Sequence, residues 1–177
     1  MSYSVITPYW MSNDPEDLKL ANAGDGFILK AVIKLLEPYK CEHIFSSRVT
    51  LSQEDIDKIN SSRMLVLAGA NQLTDNFSVI PGFNCTDLEK IKVPIVPMGI
   101  GINGEDGKND GMSDETGSMM AFIHQRSKWS SWRCPLTMDY LHKNLPAMSN
   151  HFLLTGCPVM FFGEPGKHVP LSEHQPR

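Results

Sequence analysis

Asn22, Ala23, Gly24, Asp25 and Gly26 stand immediately ahead of a helical stretch at 27–36. Glycines there let the backbone turn tightly and approach a ligand, and the helix that follows turns its unpaired N–H groups and positive dipole end toward the turn. Such an arrangement suits an anion. The same cluster also reads as a plain turn with a helix N-cap, so Asp25 either caps or binds. Two further glycine-bearing stretches follow apolar runs: Gly69, Ala70, Asn71, Gln72, Leu73, Thr74, Asp75 and Gly99, Ile100, Gly101, Ile102, Asn103. None of the three has the GxGxxG or GxxxxGK[ST] spacing, so neither a dinucleotide nor an ATP site is indicated.

Positioning these stretches requires a sheet whose strands end at them. Short β-like runs alternate with helical ones, the signature of a parallel sheet wrapped by helices, and the fold class expected is α/β, Rossmann-like, with helices on both faces. Strands are predicted at 3–7, 43–46, 63–68, 95–98, 128–133 and 152–155. Helices are predicted at about 24–36, from Ser52 on, 86–91, 118–126 and 135–145. The first helix places Ile28, Ala31, Val32 and Leu35 at the spacing of one buried face and ends before Pro38. Ser52 with Asp55 three positions on is a capping box with Asp in place of Glu. In an open parallel sheet ligands bind beyond the carboxyl ends of the strands, and all three glycine-bearing stretches are expected there.

Composition narrows the function classes. A chain of 177 residues, 41% hydrophobic, is long enough for one well-buried domain, expected over 1–162 with a polar tail at 163–177. A net charge of −4 without a Lys/Arg run argues against nucleic acid or an anionic membrane surface as partner. No apolar run approaches the length of a membrane span and 1–6 carries no signal region, so the expected location is cytoplasmic. Cys41, Cys85, Cys134 and Cys157 form no CxxC pair and are expected as free, mostly buried thiols. The acidic, glycine-bearing segment 103–117 lacks EF-hand spacing and is read as a loop, and no metal or other cofactor is expected. Methionines such as Met119, Met120 and Met138 read as core filling, and Trp132, within a strand, as buried.

Taken in order, five pieces resemble the polysaccharide pyruvyl transferase family: Asn22, Gly24, Asp25 with the following helix; Leu67 to Asp75; the glycine-bearing strand from Pro94 to Gly101; Trp132 and Arg133 with Thr137 four residues after the arginine; and Thr155, Gly156, Cys157, Pro158. The resemblance implies a transferase that moves the enolpyruvyl part of phosphoenolpyruvate onto the hydroxyls of a glycan acceptor, forming a pyruvate ketal and releasing phosphate. It also implies a site in which Arg133 and Asp25 are catalytic and Asn22, Gly24, Gly26, Gly69, Asn71, Asp75, Gly99, Gly101 and Thr137 bind substrate. Phosphoenolpyruvate carries a phosphate and a carboxylate, and an arginine's planar fork holds such oxyanions bidentately. An arginine at a strand end also commonly pairs with a surface carboxylate, and Asp75 also suits a turn.

The sequence departs from the family pattern. Family members have two Rossmann-like halves, and the resemblance covers the N-terminal half alone, without the His and Arg that look catalytic in the other half. Cys134 follows Arg133 where Asp is usual, and Ala70 stands where Gly is common. His124, His142, His151, His168 and His174 match no family position and are read as solvated or satisfied side chains. Two alternatives therefore stand: a non-catalytic module that binds an anionic sugar metabolite or a partner chain, with Val159, Phe161 and Phe162 in an exposed apolar face, and half of a nucleotide-sugar glycosyltransferase. A homo-oligomer, or a partner chain covering the absent half, is compatible with either.

Overall fold

A computed structural model describes residues 1–9, 22–104 and 111–163. Most of the predicted tail, His168, His174 and part of the 103–117 segment lie outside the described residues. Within them the chain forms β1 (Ser2–Thr7), α1 (Ala23–Leu35), β2 (Lys40–Ser46), α2 (Gln53–Ser61), β3 (Leu65–Ala68), β4 (Asn71–Leu73), α3 (Cys85–Leu88), β5 (Ile95–Ile102), α4 (Asp114–Arg126), β6 (Ser130–Trp132), α5 (Pro135–Asn144) and β7 (Phe152–Leu154). Two 3₁₀ turns, Pro146–His151 and Pro158–Phe161, flank β7. The fold is α/β: a seven-stranded sheet, parallel at every pairing, in the order β2-β1-β3-β5-β6-β7 with β4 also beside β5.

Period-2 alternation distributes the strand residues between the two faces. Tyr3, Val5, Val66 and Ala68 pack with Ile28, Leu29 and Val32 of α1 on one face. Ile6, Leu65 and Leu67 join Ile56 and Ile59 of α2, Leu88 of α3, Met119, Met120 and Ile123 of α4, and Leu141 of α5 on the other. Met119 and Met120 are core side chains with Met138 packed against the same core, Trp132 is fully buried, and the four thiols are free but half-buried rather than mostly buried. Leu35 departs from its predicted burial and is 39% exposed. The buried stripe of α1 drifts through Ile28 and Val32 to Leu36, which packs against that face in its place. The Ser52 capping box forms as expected, with Ser52 Oγ accepting from Asp55 N–H and the Asp55 carboxylate accepting from Ser52 N–H.

The sheet differs from expectation at the second and third glycine-bearing stretches. β3 ends at Ala68 as expected, but after a break at Gly69 and Ala70 the chain resumes as β4, pairing Asn71 with Gly101 and Leu73 with Ile102. Gly99 and Gly101 are not at a strand exit but inside β5, which runs on to Ile102. Gly99 has φ +70°, and the register with β6 shifts between Met98 and Ile100, so this glycine forms a bulge. A Cβ on Gly69 would collide with the carbonyl of Gly99, so these two glycines let adjacent backbones close up.

Candidate functional site

Strand order reverses where the chain leaves β1 for β2 at one edge and then crosses to β3 on the other side of β1. Ligands of open α/β sheets occupy the crevice beyond the strand ends at that switch point. A cleft of about 340 Å³ lies there, lined by Pro8 after β1, Asn22, Gly24, Asp25 and Ile28 of the α1 start, Arg48 after β2, Ala70, Asn71 and Gln72 after β3, and Arg133 after β6. Larger hollows of about 510 and 380 Å³ lie along the outer surfaces of α3, α4 and α5. Neither reaches the carboxyl ends of the strands, so position and charge single out the smaller one.

Arg133 leaves β6 held by three hydrogen bonds to two strands, β5 and β4. Its N–H bonds Ile100 C=O at 2.9 Å, its Nε donates to Gly99 C=O at 3.3 Å and its Nη1 donates to Asn71 Oδ1 at 3.0 Å. Nη2 is buried without a partner among the described residues. A buried donor left unpaired costs about 1–3 kcal/mol, more when charged, so an unfilled guanidinium position beside a cleft marks a place for an acceptor. Gly101 makes room for this pairing, since a Cβ there would stand 2.5 Å from Asn71 Oδ1 and 3.5 Å from Arg133 Cδ.

Asp25, in the first turn of α1, is 6% exposed. Burial pushes its carboxyl above the usual carboxylate range, against the opposing pull of the Arg48 and Arg133 guanidiniums. Arg48 Nη2 stands 3.7 Å from Asp25 Oδ2, and its Nε donates to Pro8 C=O at 2.6 Å. The sequence reading missed Arg48, which sits in a loop within no motif; the one available signal was its position just after a predicted strand. Asn22 caps α1 through Oδ1, which accepts from Gly24 N–H at 3.0 Å. That N–H is therefore engaged within the turn and does not point free toward an anion.

Asn22, Gly24, Asp25, Asn71 and Arg133, drawn from three separate motifs, thus meet in one cleft. The other predicted site residues lie elsewhere. Gly26 packs against the Tyr9 ring and lines a separate shallow hollow with Phe27 and Lys30. Asp75 accepts from Tyr140 Oη at 2.8 Å, and its backbone carbonyl accepts from Ser113 N–H and Thr116 Oγ1, tying the loop after β4 to α4 and α5. Buried Thr137 accepts from Ile102 N–H at 3.0 Å and fastens α5 to the end of β5. Gly69 and Gly99 shape the sheet beneath the cleft. No group of three or more His, Cys, Asp or Glu able to hold a metal occurs among the described residues, and no helix among them is long and apolar enough to cross a membrane.

No family model, no curated protein and no solved structure gives a match to this chain.

Proposed function

We propose that the cleft holds a small phosphorylated carboxylate, phosphoenolpyruvate in the reading implied by the sequence resemblance, and that the chain is the donor-binding part of a pyruvyl transferase acting on a glycan. In that reaction two sugar hydroxyls add to C2 of the enolpyruvyl group, forming two C–O bonds. The bond from C2 to the phosphate oxygen breaks, and C3 takes a proton to become a methyl group. Of the two hydroxyl protons, one balances that at C3 and the other leaves with the phosphate or to water.

The observation that carries this reading is the Nη2 of Arg133, without a partner among the described residues, beside a cleft at the switch point of the sheet. Arg133 and Arg48 supply positive charge for the phosphate and carboxylate, and the cleft volume of about 340 Å³ suits a ligand of that size. Burial raises the Asp25 carboxyl above its ordinary value, the direction that suits a group that lends a proton to C3. Phosphate release from phosphoenolpyruvate in the presence of mixed oligosaccharide acceptors tests it. The natural chain releases phosphate and Arg133→Ala does not; equal, protein-independent release would contradict the reading.

One observation favours a second reading, a module that docks a partner chain. Met160 and Phe161 are 76% and 54% exposed, and Phe27 on neighbouring α1 is 60% exposed. The 3₁₀ turn carrying Met160 and Phe161 packs on α1, and Lys30 Nζ lies 5.5 Å from the Phe162 ring centroid, so these side chains share one side of the molecule. A patch of this kind marks an interaction surface. Sedimentation velocity distinguishes this reading: concentration-dependent association lost in Met160→Ser/Phe161→Ser supports it, and a monomer at all concentrations counts against self-association.

A further inference from the structure

We infer that Arg48 is the second anion-holding residue of the cleft, turning from Asp25 to a phosphorylated small molecule whose dianion it shares with Arg133. This rests on the proposed function for the location of the site but not for the identity of the ligand.

Three observations carry it. First, the Asp25–Arg48 contact is loose: at 3.7 Å it is an ion pair without a hydrogen bond, and no hydrogen bond from either terminal nitrogen of Arg48 accompanies it among the described residues. The fork is anchored instead through Nε on Pro8 C=O, which leaves its charged end beside the cleft. Second, the pair is unequal in burial. The Asp25 side chain is 8% exposed and that of Arg48 is 49% exposed, so Arg48 can turn its fork while Asp25 stays fixed on α1. Third, the cleft is charged for a dianion. Among the described residues that line it, Arg48 and Arg133 contribute two positive charges against the one carboxylate of Asp25. Asp25 thus holds the place of the ligand: it competes for Arg48 when the cleft is unfilled and gives it up when a stronger, doubly charged acceptor arrives.

Such competition separates this role from a merely structural one, because removing the carboxylate should strengthen binding while removing the guanidinium weakens it. Inorganic phosphate and phosphoenolpyruvate are titrated calorimetrically at low salt into the natural chain, Arg48→Ala, Arg48→Lys, Asp25→Asn and Arg133→Ala, each first shown to melt cooperatively. The expected result is at least tenfold weaker binding of both ligands by Arg48→Ala, an intermediate loss in Arg48→Lys, which keeps the charge but not the fork, and several-fold tighter binding by Asp25→Asn. Unchanged affinity in Arg48→Ala with binding abolished in Arg133→Ala overturns the role of Arg48 and leaves the proposed site standing. Phosphate bound in an Arg48-dependent manner without phosphoenolpyruvate binding keeps the role of Arg48 and removes the proposed donor. Binding of neither ligand to the folded natural chain overturns both.

Discussion

At the scale of single residues, the cleft is built from groups that are costly to the fold. Asp25 is buried beside a loosely held arginine, and its folded-state carboxyl titrates above the ordinary value of 3.8. The folded chain therefore holds that proton more tightly than the unfolded chain. Between the ordinary and the raised value stability falls as pH rises, and above the raised value the ionised group is a net cost. Asp25→Asn should accordingly melt no lower than the natural chain at pH 7, followed by circular dichroism, while losing phosphate release; a clearly lower midpoint would make Asp25 a structural residue. Tyr3 offers a contrast away from the site. Its hydroxyl is buried without a partner among the described residues, and burial, with Cys41 and Glu37 nearby, pushes it up to about 12. Tyr3→Phe removes an unpaired polar group at constant shape and should leave stability unchanged or raise it by about 1 kcal/mol in urea unfolding. A loss of that size would mean that the hydroxyl is satisfied.

At the scale of elements, β5 and β6 carry the site. Gly101 of β5 leaves space for Asn71 to hold Arg133, so Gly101→Ala should displace that pair and weaken phosphate binding about tenfold, with a fold loss of about 1–3 kcal/mol from overpacking. Unchanged affinity in a folded variant would show that the Asn71–Arg133 contact does not position the guanidinium. Trp132, one residue before Arg133, is fully buried with Nε1 donating to Ser130 Oγ at 2.8 Å, and Trp132→Ala should cost about 3–5 kcal/mol by the same unfolding measurement. These elements were legible because their signals are local: apolar runs for β1, β3 and β5, a 3.6-residue stripe for α1, and a capping box for α2. What escaped was set by pairing between distant segments. The glycines at 99 and 101 read as a strand exit, but strands on both sides carry β5 through them, and Asn71–Leu73 becomes a strand because β5 lies beside it. Asn22, Asp25, Asn71 and Arg133 were visible as separate motif members, whereas Arg48 acquires its place through the β1–β2 register that brings Ser46 opposite Thr7.

At the scale of the whole molecule, one sheet edge and one cleft respond to different protons. On the β6–β7 edge the His124 and His151 rings lie 4.8 Å apart and His124 contacts Ser127 C=O and Ser130 Oγ. Burial, with His151 nearby, holds His124 below the ordinary value of 6.5. The folded chain then binds this proton less readily than the unfolded one, so stability falls as pH drops from 6.5 through the lowered value. His124→Gln should flatten that part of the stability profile in urea titrations at stepped pH, and an unchanged slope would exclude His124 as its source. The cleft lies beyond the carboxyl ends of β1 and β3, and anion binding there turns on Arg133. The measurement that tests it most directly is calorimetric titration of phosphoenolpyruvate into the natural chain and Arg133→Ala at low salt, with both shown to melt cooperatively. Saturable binding in the micromolar to millimolar range that disappears in Arg133→Ala is the predicted result. Binding that survives the substitution, or no binding by the folded natural chain, would contradict it.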